Sequence, residues 1–279
     1  MLTTLQAALL GLLQGVTELF PISSLGHSVI LPGLLHWQID QTSDYFLPFL
    51  VLTHLATALV LLGFFWRDWL YLAQGVLRSF FTRSLKGDPY AKLGWMLIVG
   101  TIPAGLLGLI FQTKLAALFA DPKTVAIFLA LNGVLLGAIE LLRRRGSQLF
   151  AGGDARIARL SFLQTLGVGT MQALALLPGF SRTGAALGGG LVAGLAHEDA
   201  ARFSFLLATP IILAAAVLKV PHILHAPSAT LVPALVGAVC AAVAAFFSVR
   251  FLTHYFKTNT LLPFAIYCLI AGTLSFFLV

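Results

Sequence analysis

Apolar stretches of about 20 residues recur from one end of this chain to the other, each long enough to cross the hydrocarbon core of a bilayer. Six of them read as spans, over 46–66, 93–112, 124–142, 203–219, 231–251 and 260–279. In lipid every backbone N–H and C=O must find a partner inside the protein, so only helices or closed barrels can span. Runs of Leu, Ala and Gly without strict alternation select helices. Composition agrees: 59% of the 279 residues are hydrophobic and 10% charged, against about 45–50% and about 25% in soluble domains. The reading is an all-α integral membrane protein with one membrane domain over 1–279, no soluble domain and no long linker.

Two further apolar segments cannot span as single helices. Residues 2–36 are interrupted by Phe20-Pro21-Ile22-Ser23-Ser24, and residues 161–195 by Pro178-Gly179-Phe180-Ser181. The pieces on either side are about 10–17 residues long, too short to cross. Each segment predicts a re-entrant helical hairpin, two half-helices meeting at a break. Irregular backbone at that depth is tolerated only when buried in protein or lining a watery cavity. The halves register at one offset: Pro21 to Pro178 is 178 − 21 = 157 positions, as are Ser24 to Ser181 and Phe46 to Phe203. Each half reads as a broken hairpin followed by three spans, giving repeats over 1–142 and 161–279.

Loop charges orient this plan. Loop 67–92 carries Arg67, Arg78, Arg83, Lys86 and Lys92, and loop 143–160 carries Arg143, Arg144, Arg145, Arg156 and Arg159. Loop 113–123 has only Lys114 and Lys123, and loop 220–230 has no Lys or Arg. The positive-inside rule puts the first two loops in the cytoplasm. Three spans per half then invert the second repeat, so that the hairpins enter from opposite sides and both termini lie outside. Opposed broken helices in an inverted repeat are a plan shared by many secondary transporters. The net charge of +7 sits in these short loops. A nucleic-acid surface needs clustered basic residues interleaved with aromatics, and none is present. Cys240 and Cys268 lie in apolar segments without a CxxC, and read as inert small hydrophobes. The N-terminus lacks a basic n-region, so it is not read as a cleaved signal peptide.

The chemistry sits at the two breaks. Gln14 and Glu18 are four apart and share a helix face. A charged side chain at mid-membrane needs a partner or a cavity, and Glu18 stands just before the first break. Ser23 or Ser24 can cap the next half-helix. With Ser24 as the cap, His27 falls one turn on, close enough for a nucleophile–base hydrogen bond. At the second break Pro178 and Gly179 interrupt the helix, Ser181 caps its successor, and Arg182 and Thr183 stand at the start. Helix N-termini favour anions, and the guanidinium fork suits phosphate. His54, one turn before Thr57, is placed either to line the cavity or, as the commoner case, to be a satisfied core histidine; Asp40 and Asp44 read as solvated loop residues, and Glu140 and His197-Glu198-Asp199 as helix-end residues. The assembled reading is an anion site with a nucleophile beside it. Inorganic phosphate, a phosphate ester or a diphosphate would fit.

These residues resemble a known family. Gln14-Gly15-Val16-Thr17-Glu18 followed by Pro21-Ile22-Ser23-Ser24-Leu25-Gly26-His27 is similar to the (E/Q)xxxE and P-x-S-S-x-G-H elements of the undecaprenyl-diphosphatases, also called bacitracin resistance proteins. Pro178-Gly179-Phe180-Ser181-Arg182-Thr183 is similar to their P-G-x-S-R-S-x-x-T, and Ala201-Arg202-Phe203-Ser204-Phe205-Leu206-Leu207 resembles a third segment. Thr183 replaces a Ser of the pattern, and Ala186 replaces its final Thr, removing a hydroxyl. Gln14 takes the neutral option, leaving a metal site one carboxylate fewer.

The resemblance implies hydrolysis of undecaprenyl diphosphate to undecaprenyl phosphate and inorganic phosphate in the bacterial inner membrane. This recycles the lipid carrier of cell-wall synthesis, usually with a divalent cation (Mg or Ca). On this reading Ser24 is the nucleophile, His27 the base, and Arg182 binds phosphate oxygens, while Glu18 holds a cation or orients a water; spacing alone leaves these roles open to exchange, with His27 as nucleophile the main variant and an activated water the other. Gln14, Ser23, Gly179, Ser181 and Thr183 complete the substrate contacts. The partners are the polyprenyl diphosphate and membrane lipids, with no nucleic acid, and the active site faces the outer side. The rival reading is a transporter or flippase for a polyprenyl phosphate, which shares the anion site but needs no nucleophile.

Overall fold

The computed structural model describes residues 2–39, 43–118, 121–145 and 154–279. Asp40 and the middles of loops 113–123 and 143–160 lie outside the described residues. The described chain is helical: α1 (Thr4–Thr17), α2 (Ser24–Leu34), α3 (Phe46–Phe64), α4 (Trp66–Thr82), α5 (Pro89–Leu118), α6 (Pro122–Arg145), α7 (Asp154–Ile157), α8 (Phe162–Gln172), α9 (Arg182–Val192), α10 (His197–Leu224), α11 (Ser228–Tyr255) and α12 (Leu262–Leu278). Within α3, α5, α6, α10 and α11 lie five helices long and apolar enough to cross a membrane, so the chain is a multi-pass membrane protein. The stretch expected as a sixth span, 260–279, forms the 17-residue α12, which is apolar but shorter.

The two broken segments use the same local devices. Thr3 and Gln6 form a capping box at the start of α1, and Ser161 and Gln164 form another at the start of α8. Each box satisfies two backbone N–H groups that a helix start leaves free. After the breaks, Ser23 caps α2 by accepting from Gly26 N at 3.2 Å, and Ser181 caps α9 by accepting from Gly184 N at 3.1 Å. The paired devices therefore register at 161 − 3 = 158 and 181 − 23 = 158. This corrects the Ser24–Ser181 match at 157. The prolines register at 157, because the second break holds one more residue between proline and cap, and Phe46 to Phe203 also keeps 157.

Packing in lipid relies on close approach, since tails are as apolar as leucine. Helix α1 lies on α11, and α8 on α5. A Cβ on Gly11 would come within 2.1 Å of the Gly237 carbonyl oxygen, and one on Gly169 within 2.3 Å of the Gly100 carbonyl oxygen. Each half-helix thus touches backbone that no larger residue would allow. Helices α3 and α10 pack on each other, as do α6 and α12. Leu19, Ile22, Leu129, Leu136, Leu187 and Phe203 are buried around the two breaks.

Loop 67–92 is corrected. Most of it is α4, which folds back along α5, where Gly75 meets the backbone of Ala91. Arg67, Asp68 and Arg78 interrupt its apolar residues, so no stretch of spanning length appears there. Trp66, Leu70, Leu77, Phe80 and Phe81 are nonetheless exposed, the apolar face of an amphipathic helix. Arg78 pairs with Asp88 across the hairpin turn. In loop 143–160, Arg156 is bound to Asp199 of α10 at 3.0 Å, so one expected surface arginine is half-buried structure.

Candidate active site

The breaks bring Glu18, Ser24 and Arg182 together. Glu18 is buried at 6% exposure just beyond α1. Its Oε1 accepts from Arg182 Nη2 at 2.6 Å, and its Oε2 accepts from Ser24 Oγ at 2.6 Å. Gln14 Nε2 donates to the same Oε2 at 3.3 Å, one turn back on α1. An ion pair this enclosed must have its remaining polar atoms satisfied. The second guanidinium arm accordingly reaches the Ser204 carbonyl at 3.5 Å.

Because Ser23 is the cap, the Ser24 hydroxyl is left for chemistry. Ser23 sits at φ 70°, a left-handed conformation unusual for a residue other than glycine. Backbone strain of this kind clusters at functional sites. The residue directly after each cap carries a reactive group, Ser24 at the start of α2 and Arg182 at the start of α9.

The expected Ser24–His27 pairing is not formed. His27 Nδ1 donates to the Ser23 carbonyl at 2.6 Å, and its Nε2 meets the Tyr267 hydroxyl at 2.7 Å. Its ring stacks on Tyr267, 5.7 Å between centroids. Both nitrogens are occupied away from Ser24. His54 of α3 takes the place beside Ser24, with Nε2 at 3.3 Å from Ser24 Oγ and 3.1 Å from Glu18 Oε2. Its Nδ1 donates to the Leu50 carbonyl at 2.6 Å. That bond fixes the tautomer and leaves Nε2 as the nitrogen facing the hydroxyl. The signal for His54 was present in the sequence, since an imidazole inside an apolar span is by default a functional candidate.

A second missed residue is Asn132, the fully buried asparagine of α6. Its Nδ2 donates to the Pro21 carbonyl at 3.0 Å and its Oδ1 accepts from Ser181 N at 3.1 Å. One amide thus ties the first break to the second. Thr183 Oγ1 adds a bond to the Glu18 carbonyl at 2.7 Å.

These groups open on a cavity of about 200 Å³. Glu18, Ser23, Ser24, His54, Ser181 and Arg182 line it, with Leu47, Val51, Leu176, Phe180, Ile211 and Ala215 among the apolar walls. Of the other expected contacts, Gln14 and Thr183 are fully buried and hold the Glu18 region rather than lining the cavity. Gly179, at φ 115°, faces α6, where a Cβ would lie 2.5 Å from the Val125 carbonyl oxygen. Its conformation and its packing both demand glycine. Among the described residues no group of three or more His, Cys, Asp or Glu could hold a metal ion. What the arrangement offers is a hydroxyl flanked by a carboxylate and an imidazole, facing a guanidinium, at the polar edge of an oily cavity.

Comparison with known proteins gives the family. The family model described as bacitracin resistance protein BacA matches residues 7–274. The chain is 47% identical to the undecaprenyl-diphosphatase of Acidiphilium cryptum (strain JF-5), covering 100% of this chain and 99% of that protein. It is 46% identical to undecaprenyl-diphosphatase 2 of Chromobacterium violaceum, covering 98% of each. It is 44% identical to the undecaprenyl-diphosphatase of Mycolicibacterium paratuberculosis, covering 98% of this chain and 96% of that protein. Matched along almost its whole length, the chain belongs to the bacitracin resistance protein BacA family.

Proposed function

We propose that this protein is a membrane-embedded phosphatase that hydrolyses undecaprenyl diphosphate to undecaprenyl phosphate and inorganic phosphate, returning the lipid carrier to cell-wall synthesis. The observation that carries the reading is the meeting of Ser24, Glu18, His54 and Arg182 at one edge of an otherwise apolar cavity. The polar edge suits a diphosphate and the apolar walls suit the isoprenoid beside it. Phosphate release from undecaprenyl diphosphate by purified protein, with and without a chelator, tests it. No release under either condition would sink the reading.

The steps follow from the contacts. Ser24 Oγ attacks the terminal phosphorus while its proton passes to His54 Nε2, and the imidazolium so formed faces Glu18. The bond from that phosphorus to the bridging oxygen breaks, His54 Nε2 hands its new proton to that oxygen, and undecaprenyl phosphate leaves with His54 neutral again. Water then attacks the phosphoserine, giving a proton to His54, and inorganic phosphate departs as Ser24 Oγ regains its proton. Arg182 holds the charge of the equatorial oxygens throughout, since phosphoryl transfer asks mainly for positioning and charge stabilisation. A divalent cation would neutralise the diphosphate, and Glu18, the carboxylate that lines the cavity, is the protein donor that would face it.

Arg182→Lys keeps the charge and loses the fork. It is expected to lower kcat/KM by about tenfold to a hundredfold, the scale of one lost charged hydrogen bond. Arg202, bound to Asp68 at 2.8 Å and stacked over Phe65, is the control. If Arg182→Lys cost no more than Arg202→Lys, Arg182 would be structural.

We also assign an inverted repeat, oriented in the bacterial inner membrane with both termini and the active site on the outer side. Support comes from the exchanged packing, α1 on α11 and α8 on α5, and from the paired caps. The Arg-rich loops then lie in the cytoplasm. Impermeant thiol labelling, in a background lacking Cys240 and Cys268, is expected to reach a cysteine placed at Lys123 from outside and to miss Arg144→Cys. Strong outside labelling at Arg144→Cys would reverse the orientation.

A further inference from the structure

We propose that Gln172 is a substrate-binding residue whose side-chain amide receives phosphate oxygens of the diphosphate, an inference that rests on the phosphatase reading. Gln172 ends α8, is 2% exposed and lines the same cavity as Glu18, Ser24 and Arg182. Its Nε2 and Oε1 are both closed off from water and have no hydrogen-bond partner among the described residues. Buried amides are almost always bonded, and each exception asks for a reason. Gln172 lines the cavity wall, and the proposal requires its side chain to turn so that the amide meets what fills the cavity.

The register of the two breaks supplies the reason. The capping serines correspond at 181 − 23 = 158, and Gln14 to Gln172 is also 172 − 14 = 158. In the first arm Gln14 Nε2 is engaged by Glu18, four residues on. The counterpart of Glu18 is at 18 + 158 = 176, which is Leu176. The second arm keeps the amide but has lost the carboxylate that would occupy it. An amide offers two N–H donors and a carbonyl acceptor. The donors match anionic phosphate oxygens, and the acceptor matches a phosphate hydroxyl or water. Gln172 makes and breaks no bond, so its part is affinity.

Gln172→Leu and Gln172→Glu test this, with inorganic diphosphate binding by calorimetry, steady-state hydrolysis of undecaprenyl diphosphate, and thermal unfolding. Gln172→Leu is expected to weaken inorganic diphosphate binding and raise KM by about tenfold or more, as loss of a hydrogen bond to a charged ligand should. Removing uniform binding leaves kcat within about threefold. The unfolding temperature should stay level or rise, because an unsatisfied amide is gone. Gln172→Glu, which sets a carboxylate against the anion, should bind more weakly still. Unchanged diphosphate affinity and KM in Gln172→Leu would overturn the proposal, and so would a lowered unfolding temperature with affinity intact in both variants. A wild-type protein that binds diphosphate but hydrolyses nothing would instead overturn the phosphatase reading, and the binding comparison would still decide Gln172.

Discussion

Ser24→Ala is expected to lower kcat and kcat/KM together by about a hundredfold or more while leaving substrate affinity near that of the parent. A nucleophile acts in the transition state, so its removal leaves ground-state binding largely intact. The structural cost spares the helix start because Ser24 is not the cap of α2. Loss of its bond to the Glu18 carboxylate should cost about 1.5–3 kcal/mol of stability, which thermal unfolding reads separately from kcat. Ser23→Ala is the matched control. It removes the cap bond to Gly26 N, so it should cost about 1 kcal/mol of stability with a milder loss of kcat. His54→Ala should lose turnover by about 10²–10⁴-fold, the range of a general base, whereas His27→Ala should keep most of it. Near-normal hydrolysis by Ser24→Ala would remove the serine from the chemistry. Lipid translocation, by contrast, should survive Ser24→Ala, which separates transporter from phosphatase.

Glu18→Gln should be as damaging, for two separable reasons. The carboxylate touches Ser24, His54 and Arg182 at once. An amide cannot stabilise the imidazolium that forms when His54 takes the serine proton, so kcat should fall by about 10²–10⁴-fold. The same change strands the Arg182 guanidinium, 13% exposed, without its anion. Breaking a buried pair by removing one partner costs about 3–5 kcal/mol. The double variant Glu18→Gln with Arg182→Gln distinguishes the two effects. It should recover stability without recovering turnover. If the double variant regained activity, the pair would be a structural clasp rather than catalytic machinery.

The sequence made the architecture legible where apolar length and breaks dominate. Spans α3, α5, α6, α10 and α11 were each announced by an uninterrupted apolar run. Pro21 and Pro178 fixed the interruptions, because a proline after a half-helix leaves few alternatives. The site was legible as far as Glu18, Ser24 and Arg182, which are polar residues beside those breaks. What remained hidden depended on three-dimensional neighbours. Spacing along the chain pairs Ser24 with His27, yet the cap belongs to Ser23, so His27 turns to Tyr267 and His54 arrives from another helix. Asn132 is a single polar residue in an apolar run, and only the fold reveals that its amide bridges both breaks. Helix α4 escaped because Arg67, Asp68 and Arg78 interrupt its hydropathy, although its helical period is intact.

The central claim is that phosphoryl transfer proceeds through Ser24 rather than directly to water. The steric course at the terminal phosphorus decides it. An undecaprenyl diphosphate carrying sulfur and two heavy oxygen isotopes at that phosphorus would be hydrolysed in ordinary water by the purified protein, and the configuration of the released thiophosphate measured. Two in-line displacements, first by Ser24 and then by water, give net retention, which is the result this mechanism requires. Net inversion would mean one displacement by water, and would contradict it.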